Sequence, residues 1–109
     1  MTNLQIPEPV ASFIAAINGR EEDAFIGAFT PNAFVDDWGT RYDGRVAIKK
    51  WSDRELLGAS GTFTPTQVSH EHATIEVGGD WRSSFANGPS LFRFVIEGDK
   101  IASMTIREL

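Results

Sequence analysis

Apolar residues change their period near the middle of this chain. In the first half they recur every three or four positions, as on one face of a helix. In the second half they alternate with polar residues, as in half-buried strands. Val10, Phe13, Ile14 and Ile17 form the first helical stripe. Asn18-Gly19 predicts its end, because both residue types tolerate the left-handed backbone of a helix terminus. Glu21, Glu22 and Asp23 suit the electropositive start of a second helix. Phe25, Ile26 and Phe29 supply its apolar face, and Thr30-Pro31 predicts its stop.

Phe34, Val35 and Trp38 predict a strand that carries the adjacent carboxylates Asp36 and Asp37. Asp43 is placed to cap a further helix over residues 45–57, with Ile48, Trp51 and Leu56 inward and Gly58 at its end. Residues 62–68 are rich in β-branched side chains, and Pro65 predicts an edge strand or a bulge there. Ala73, Ile75 and Val77 alternate with polar neighbours, and Trp81, Ser83 and Phe85 resume that alternation beyond Gly78-Gly79. One long strand bent by a bulge is therefore expected. Asn87-Gly88-Pro89 predicts a turn, residues 91–96 a central strand, and Gly98-Asp99 a turn into residues 101–107.

The expected order is α, α, β, α and then about four antiparallel strands, all in one domain spanning residues 1–109. Helices grouped before strands indicate an α+β fold. Three N-terminal helices would pack on a strongly curved, mainly antiparallel sheet. Wrapped around the long helix, such a sheet forms a cone whose mouth is a pocket for a small molecule.

Composition narrows the partners. A formal charge of −5, with only Lys49-Lys50 as adjacent cations, argues against nucleic acid. The absence of cysteine removes disulfides, thiolate metal sites and a cysteine nucleophile. No apolar run approaches the roughly 18 residues of a membrane span, and the start of the chain lacks a basic, apolar leader. No membrane partner is expected, and the expected compartment is the cytoplasm. Eight Phe and three Trp against one Tyr make an apolar aromatic set that suits a core or a pocket lining.

Among the polar residues, Asp37 is the candidate general base. Neighbours in a strand point to opposite faces, so Asp36 and Asp37 cannot share a proton, and Asp37 lies on the same face as the apolar Val35. The alternative is a carboxylate that bonds backbone amides or pairs with Arg41 or Arg45. Tyr42 offers a hydroxyl for a developing oxyanion, or else a structural contact beside Asp43-Gly44. His70 and His72, two apart on one strand face, are candidates for proton transfer with Asp37. Their spacing also permits a metal ion, but no third ligand is nearby, so neither a metal nor a cofactor is expected. Phe13, Val35, Trp38, Trp51 and Trp81 are candidate ligand-lining residues, and Arg93 joins them if it faces inward. Facing outward, Arg93 belongs to the surface or a dimer interface. Phosphate loops, serine-hydrolase elbows and helical zinc motifs are missing.

The order of elements resembles the nuclear transport factor 2-like superfamily, the cystatin-like α+β cone, and within it the SnoaL-like group. The resemblance is carried by Asn18-Gly19-Arg20 before Asp23-Ala24-Phe25, by Phe29-Thr30-Pro31-Asn32-Ala33 and by Val35-Asp36-Asp37. Tyr42-Asp43-Gly44-Arg45 with Ala47-Ile48 and Trp51, Thr62-Phe63-Thr64-Pro65, and the closing Gly98-Asp99-Lys100-Ile101 also fit. Steroid isomerisation in this superfamily pairs an aspartate base with a tyrosine and a protonated aspartic acid. By resemblance the base falls on Asp37, but the tyrosine position falls near Phe13 and the acid position in residues 91–93, which hold no carboxyl group. The resemblance therefore implies a relative that is not a classical ketosteroid isomerase. It also implies a homodimer through the outer sheet face.

Two functions follow. One is a cofactor-independent isomerase, lyase or cyclase acting on a small apolar or aromatic, carbonyl-bearing molecule, with Asp37 as base and Tyr42, His70, His72 or water as acid. The other is a non-catalytic ligand-binding or dimeric assembly module.

Overall fold

A computed structural model describes residues 4–109. Its elements are α1 (Val10–Asn18), α2 (Glu22–Gly27), β1 (Phe29–Asp37), β2 (Thr40–Asp43) and α3 (Gly44–Glu55). A short 3-10 turn (Leu57–Ala59) then leads to β3 (Thr62–Glu71), β4 (Thr74–Arg82), β5 (Gly88–Glu97) and β6 (Lys100–Glu108). The strands form one open sheet of six, in the order β2-β1-β6-β5-β4-β3. β1 and β6 run parallel and every other neighbouring pair antiparallel. The fold is α+β, with a mixed, mostly antiparallel sheet under its helices.

The apolar stripes meet in one core. Phe13 of α1 stacks on Phe25 of α2 at 5.1 Å and meets Phe29 and Phe94 edge-on, joining both helices to β1 and β5. Offset and edge-to-face contacts of this kind add to the burial of the rings themselves. Asn18 fastens the end of α1 to the edge strand β3. Its Nδ2 donates to Phe63 O at 2.9 Å and its Oδ1 accepts from Phe63 N at 2.8 Å. Lys49 bridges Glu22 and Asp53, each at 2.8 Å, and so links α2 to α3. No helix among the described residues is long and apolar enough to cross a membrane.

Several boundaries differ from the expectation. The left-handed residue after α1 is Arg20 (φ 57), not Gly19 (φ −90). Arg20 is held there because its guanidinium donates to Ile17 O and Asn18 O. Phe29 opens β1 and does not close α2. Thr30-Pro31 is accommodated by a break in pairing between Phe29 and Phe34, and the Arg45 guanidinium donates to the Phe29 carbonyl at that break.

Trp38 and Gly39, both with positive φ, form a tight turn between β1 and β2, so Trp38 lies outside the expected strand. Asp43 precedes α3 without capping it, because its carboxylate binds Arg41 at 2.9 Å. The bulge predicted by Gly78-Gly79 sits across from them, on the edge strand between Pro65 and Gln67. β4 ends at Arg82, and Phe85 belongs to a loop.

The outer sheet face is polar and paired. Arg93 meets Glu76, Arg82 meets Asp80 and Arg107 meets Asp36 there, with Leu91 and Val95 between them.

Candidate functional site

Alternation along β1 turns Asp36 and Asp37 to opposite sides of the sheet. Asp36 takes the outer side. Its Oδ1 accepts from Arg107 Nη1 at 3.0 Å and from Gly39 N at 2.8 Å. The Arg107 hydrogen bond, then the Gly39 amide, holds its carboxyl below the usual carboxylate range.

Asp37 takes the inner side, where its Oδ2 accepts from Trp51 Nε1 at 3.1 Å. Trp51 is only 1% exposed, and Tyr42 stacks on it with ring centroids 5.8 Å apart. Arg41 and Arg45, the possible ion-pair partners of Asp37, are engaged with Asp43 and the Phe29 carbonyl.

Asp37 opens onto a cleft of about 300 Å³ at the end of the sheet where β1 and β6 finish and β5 begins. Trp51, Leu56, Trp81, Phe92 and Ile106 give it an apolar interior. Phe92 lies flat on Phe63 at 4.4 Å, which fixes that wall. Trp38 and Phe85 line the cleft while remaining 59% and 64% exposed, so its lips are aromatic.

The Phe85 lip is a loop held by its own hydroxyls. Ser83 Oγ accepts from Phe85 N and Ala86 N, Ser83 N donates to Asn87 Oδ1, and Ser84 N donates to Ala59 O at 2.9 Å. These bonds replace the strand pairing expected there.

Asp37, Trp38, Trp51 and Trp81 thus share the cleft. Phe13 and Val35 lie in the core, at 1% and 0% exposure. Tyr42 stands behind Trp51 and is not a lining residue. Arg93 points outward to Glu76 at 3.8 Å. His70 and His72 sit at the β3–β4 hairpin, where His70 Nε2 lies 3.0 Å from His72 O.

His70 pairs with Ile75. Trp81 is six residues further along β4, about 20 Å away. The histidines and Asp37 therefore occupy opposite ends of the sheet.

Two lining carboxylates, Glu55 and Glu108, escaped the sequence reading. Each had a signal. Glu55 lies four residues after Trp51 and so shares its helical face. Glu108 continues the inward alternation of Met104 and Ile106.

No family model and no curated protein sequence matches the chain. Solved structures do. A candidate polyketide cyclase from Sinorhizobium meliloti is 26% identical, with a TM-score of 0.87 over 94% of this chain and 95% of that one. A protein of ketosteroid isomerase-like fold from Catenulispora acidiphila, solved with trimethylamine, is 18% identical, with a TM-score of 0.80 over 94% and 86%. An epoxide hydrolase/cyclase-like enzyme of pyran ring formation in salinomycin is 22% identical, with a TM-score of 0.80 over 89% and 84%. At identities this low, the last two speak for the fold alone.

Proposed function

We propose that this member of the nuclear transport factor 2-like superfamily, SnoaL-like in type, binds a small, largely apolar molecule in its aromatic cleft and moves a proton on it with Asp37. The observation that carries this reading is the inward carboxylate fixed by the Trp51 indole N–H at 3.1 Å and surrounded by apolar walls.

A base must be oriented before it can act. With Oδ2 held by Trp51, Oδ1 is the oxygen that meets the substrate. Asp37 would take a proton from a carbon next to a carbonyl and return it to another carbon or to oxygen. The overall change is an isomerisation, an elimination or a ring closure.

Tyr42, His70 and His72 lie away from the cleft lining. The acid in this reading is therefore protonated Asp37 itself or a water. No resident cofactor takes part. The candidate polyketide cyclase among its structural relatives makes aromatic and polyketide-like ketones the first substrates to try. Soaking crystals with these ketones and following their conversion tests the reading. Density in the cleft, with turnover that Asp37→Asn abolishes, is the expected outcome.

A second reading, a binding or assembly module without chemistry, is favoured by one observation. The ionisable side chains of the lining are all carboxylates, Asp37, Glu55 and Glu108, with no tyrosine or histidine among them to serve as a general acid. Binding without turnover of any ketone would select it. In either reading we place the protein in the cytoplasm as a homodimer joined through the outer sheet face. Arg93 and Glu76 would lie in that interface. A monomeric mass in dilute solution would count against it.

A further inference from the structure

The charges around the cleft are all of one sign. Asp37, Glu55 and Glu108 contribute carboxylates to its lining, and among the described residues no Lys, Arg or His does. Arg107 follows the opposite face of β6 to Asp36, while Arg54, 58% exposed, pairs with Glu55 at 3.5 Å from the solvent side of α3. Asp37 and Glu108 have no guanidinium or ammonium partner among the described residues. The walls and lips add Trp38, Trp51, Trp81 and Phe85. An aromatic face is electron-rich, so it attracts an organic cation, most strongly where water is excluded. A carboxylate beside such a face attracts the same charge, and an anionic ligand would meet repulsion from Asp37 and Glu108 with no cation in the lining to offset it.

We infer that the molecule held in this cleft carries a positively charged amine on an apolar or aromatic body. The inference rests on the reading of the cleft as a binding site and adds the charge of what is bound. It also bears on the chemistry. The chain offers no cationic side chain in the cleft to offset charge developing on a carbonyl oxygen as Asp37 removes a proton. An ammonium group on the substrate, near that carbonyl, would offset it from within.

Three matched probes test this: 2-phenylethylammonium, 2-phenylethanol and phenylacetate. Binding is read by tryptophan fluorescence and by the NMR shift of the Trp51 indole N–H. The ammonium probe should bind at least about tenfold more tightly than phenylacetate and several-fold more tightly than the alcohol. Its advantage should shrink as NaCl is raised toward about 0.5 M. The double variant Glu55→Gln/Glu108→Gln should lower ammonium affinity by about tenfold and leave the alcohol within about twofold, so the alcohol doubles as a check that the variant is folded.

If the alcohol or phenylacetate binds as well as the ammonium probe, the inference is overturned while the cleft remains a binding site. If none of the three binds, the binding reading fails with it.

Discussion

Trp51 Nε1 and Asp37 Oδ2 lie 3.1 Å apart and join the long helix to the end of β1 inside the cleft. This bond gives the carboxylate a fixed direction and gives the buried indole its partner. Replacing Trp51 with Phe removes the donor together with the pyrrole half of the indole. The expected result is a loss of about 1–3 kcal/mol in urea unfolding and a several-fold loss of ligand affinity. Trp51→Ala should cost about 3–5 kcal/mol, because it opens a larger cavity. A Phe variant that binds ligand like the parent would mean that the indole only fills space.

Gly61 decides where Trp81 stands. A Cβ at this position would lie 2.0 Å from Trp81 Cη2, too close for both to remain. Trp81 has the cleft beside it and can give way in that direction. Gly61→Ala should therefore cost about 1–3 kcal/mol and reduce ligand binding more than its stability loss alone explains. Thermal unfolding and a binding titration on the same sample separate the two effects.

Asn18 makes two hydrogen bonds to the backbone of Phe63, at 2.9 and 2.8 Å, so its loss leaves a donor and an acceptor on the edge strand without partners. Asn18→Ala should destabilise by about 1–3 kcal/mol. Hydrogen exchange should rise first at Phe63 and its neighbours on β3. Uniform exchange along the sheet would show that the clamp is not local.

Asp36 links stability to pH. Its folded carboxyl titrates below the unfolded value because Arg107 and the Gly39 amide favour the charged form. The unfolded chain binds the proton more readily than the folded one. The contribution of this pair is therefore present above the ordinary carboxylate range and is lost as the pH falls through the lowered value. Asp36→Asn should weaken the protein at neutral pH and flatten its acid dependence in urea titrations. Because the pair is only half-buried, the effect should also shrink with salt.

The sequence reading was strongest where periodicity had many residues to work with. The α1 stripe, the β4 alternation as far as Trp81 and the apolar run of β5 fall where they were expected. It was weakest at short elements set by tertiary contacts. Thr30-Pro31 reads as a helix stop, but β1 carries the proline by breaking its pairing with β6, where Arg45 supports the chain. The four-residue β2 had no pattern of its own, and only the positive φ of Trp38 and Gly39 reveals its turn.

In the site, Asp37, Trp51 and Trp81 were legible because each lies on a predicted inward face. Phe13 and Val35 lie on inward faces too, but in the filled core between helices and sheet. His70 lies on β3, but His72 stands in the hairpin turn beyond it with a positive φ, so the expected shared strand face is not formed. Their distance from Asp37 depends on which end of the sheet each strand reaches. That is a property of topology and not of spacing. Glu55 sat on the helical face that Trp51 already marked as inward, whereas Glu108 lay one residue beyond the strand expected over residues 101–107.

The most direct test of the central claim is hydrogen–deuterium exchange at the carbon next to the carbonyl of a bound aromatic ketone, followed by NMR in D2O for the parent and for Asp37→Asn. If Asp37 is the base, the parent accelerates exchange, and the variant binds the ketone within a few-fold but loses about 10²–10⁴ of the rate. Equal exchange in the two proteins, or tight binding with no acceleration by the parent, would contradict the assignment of Asp37 as the catalytic base.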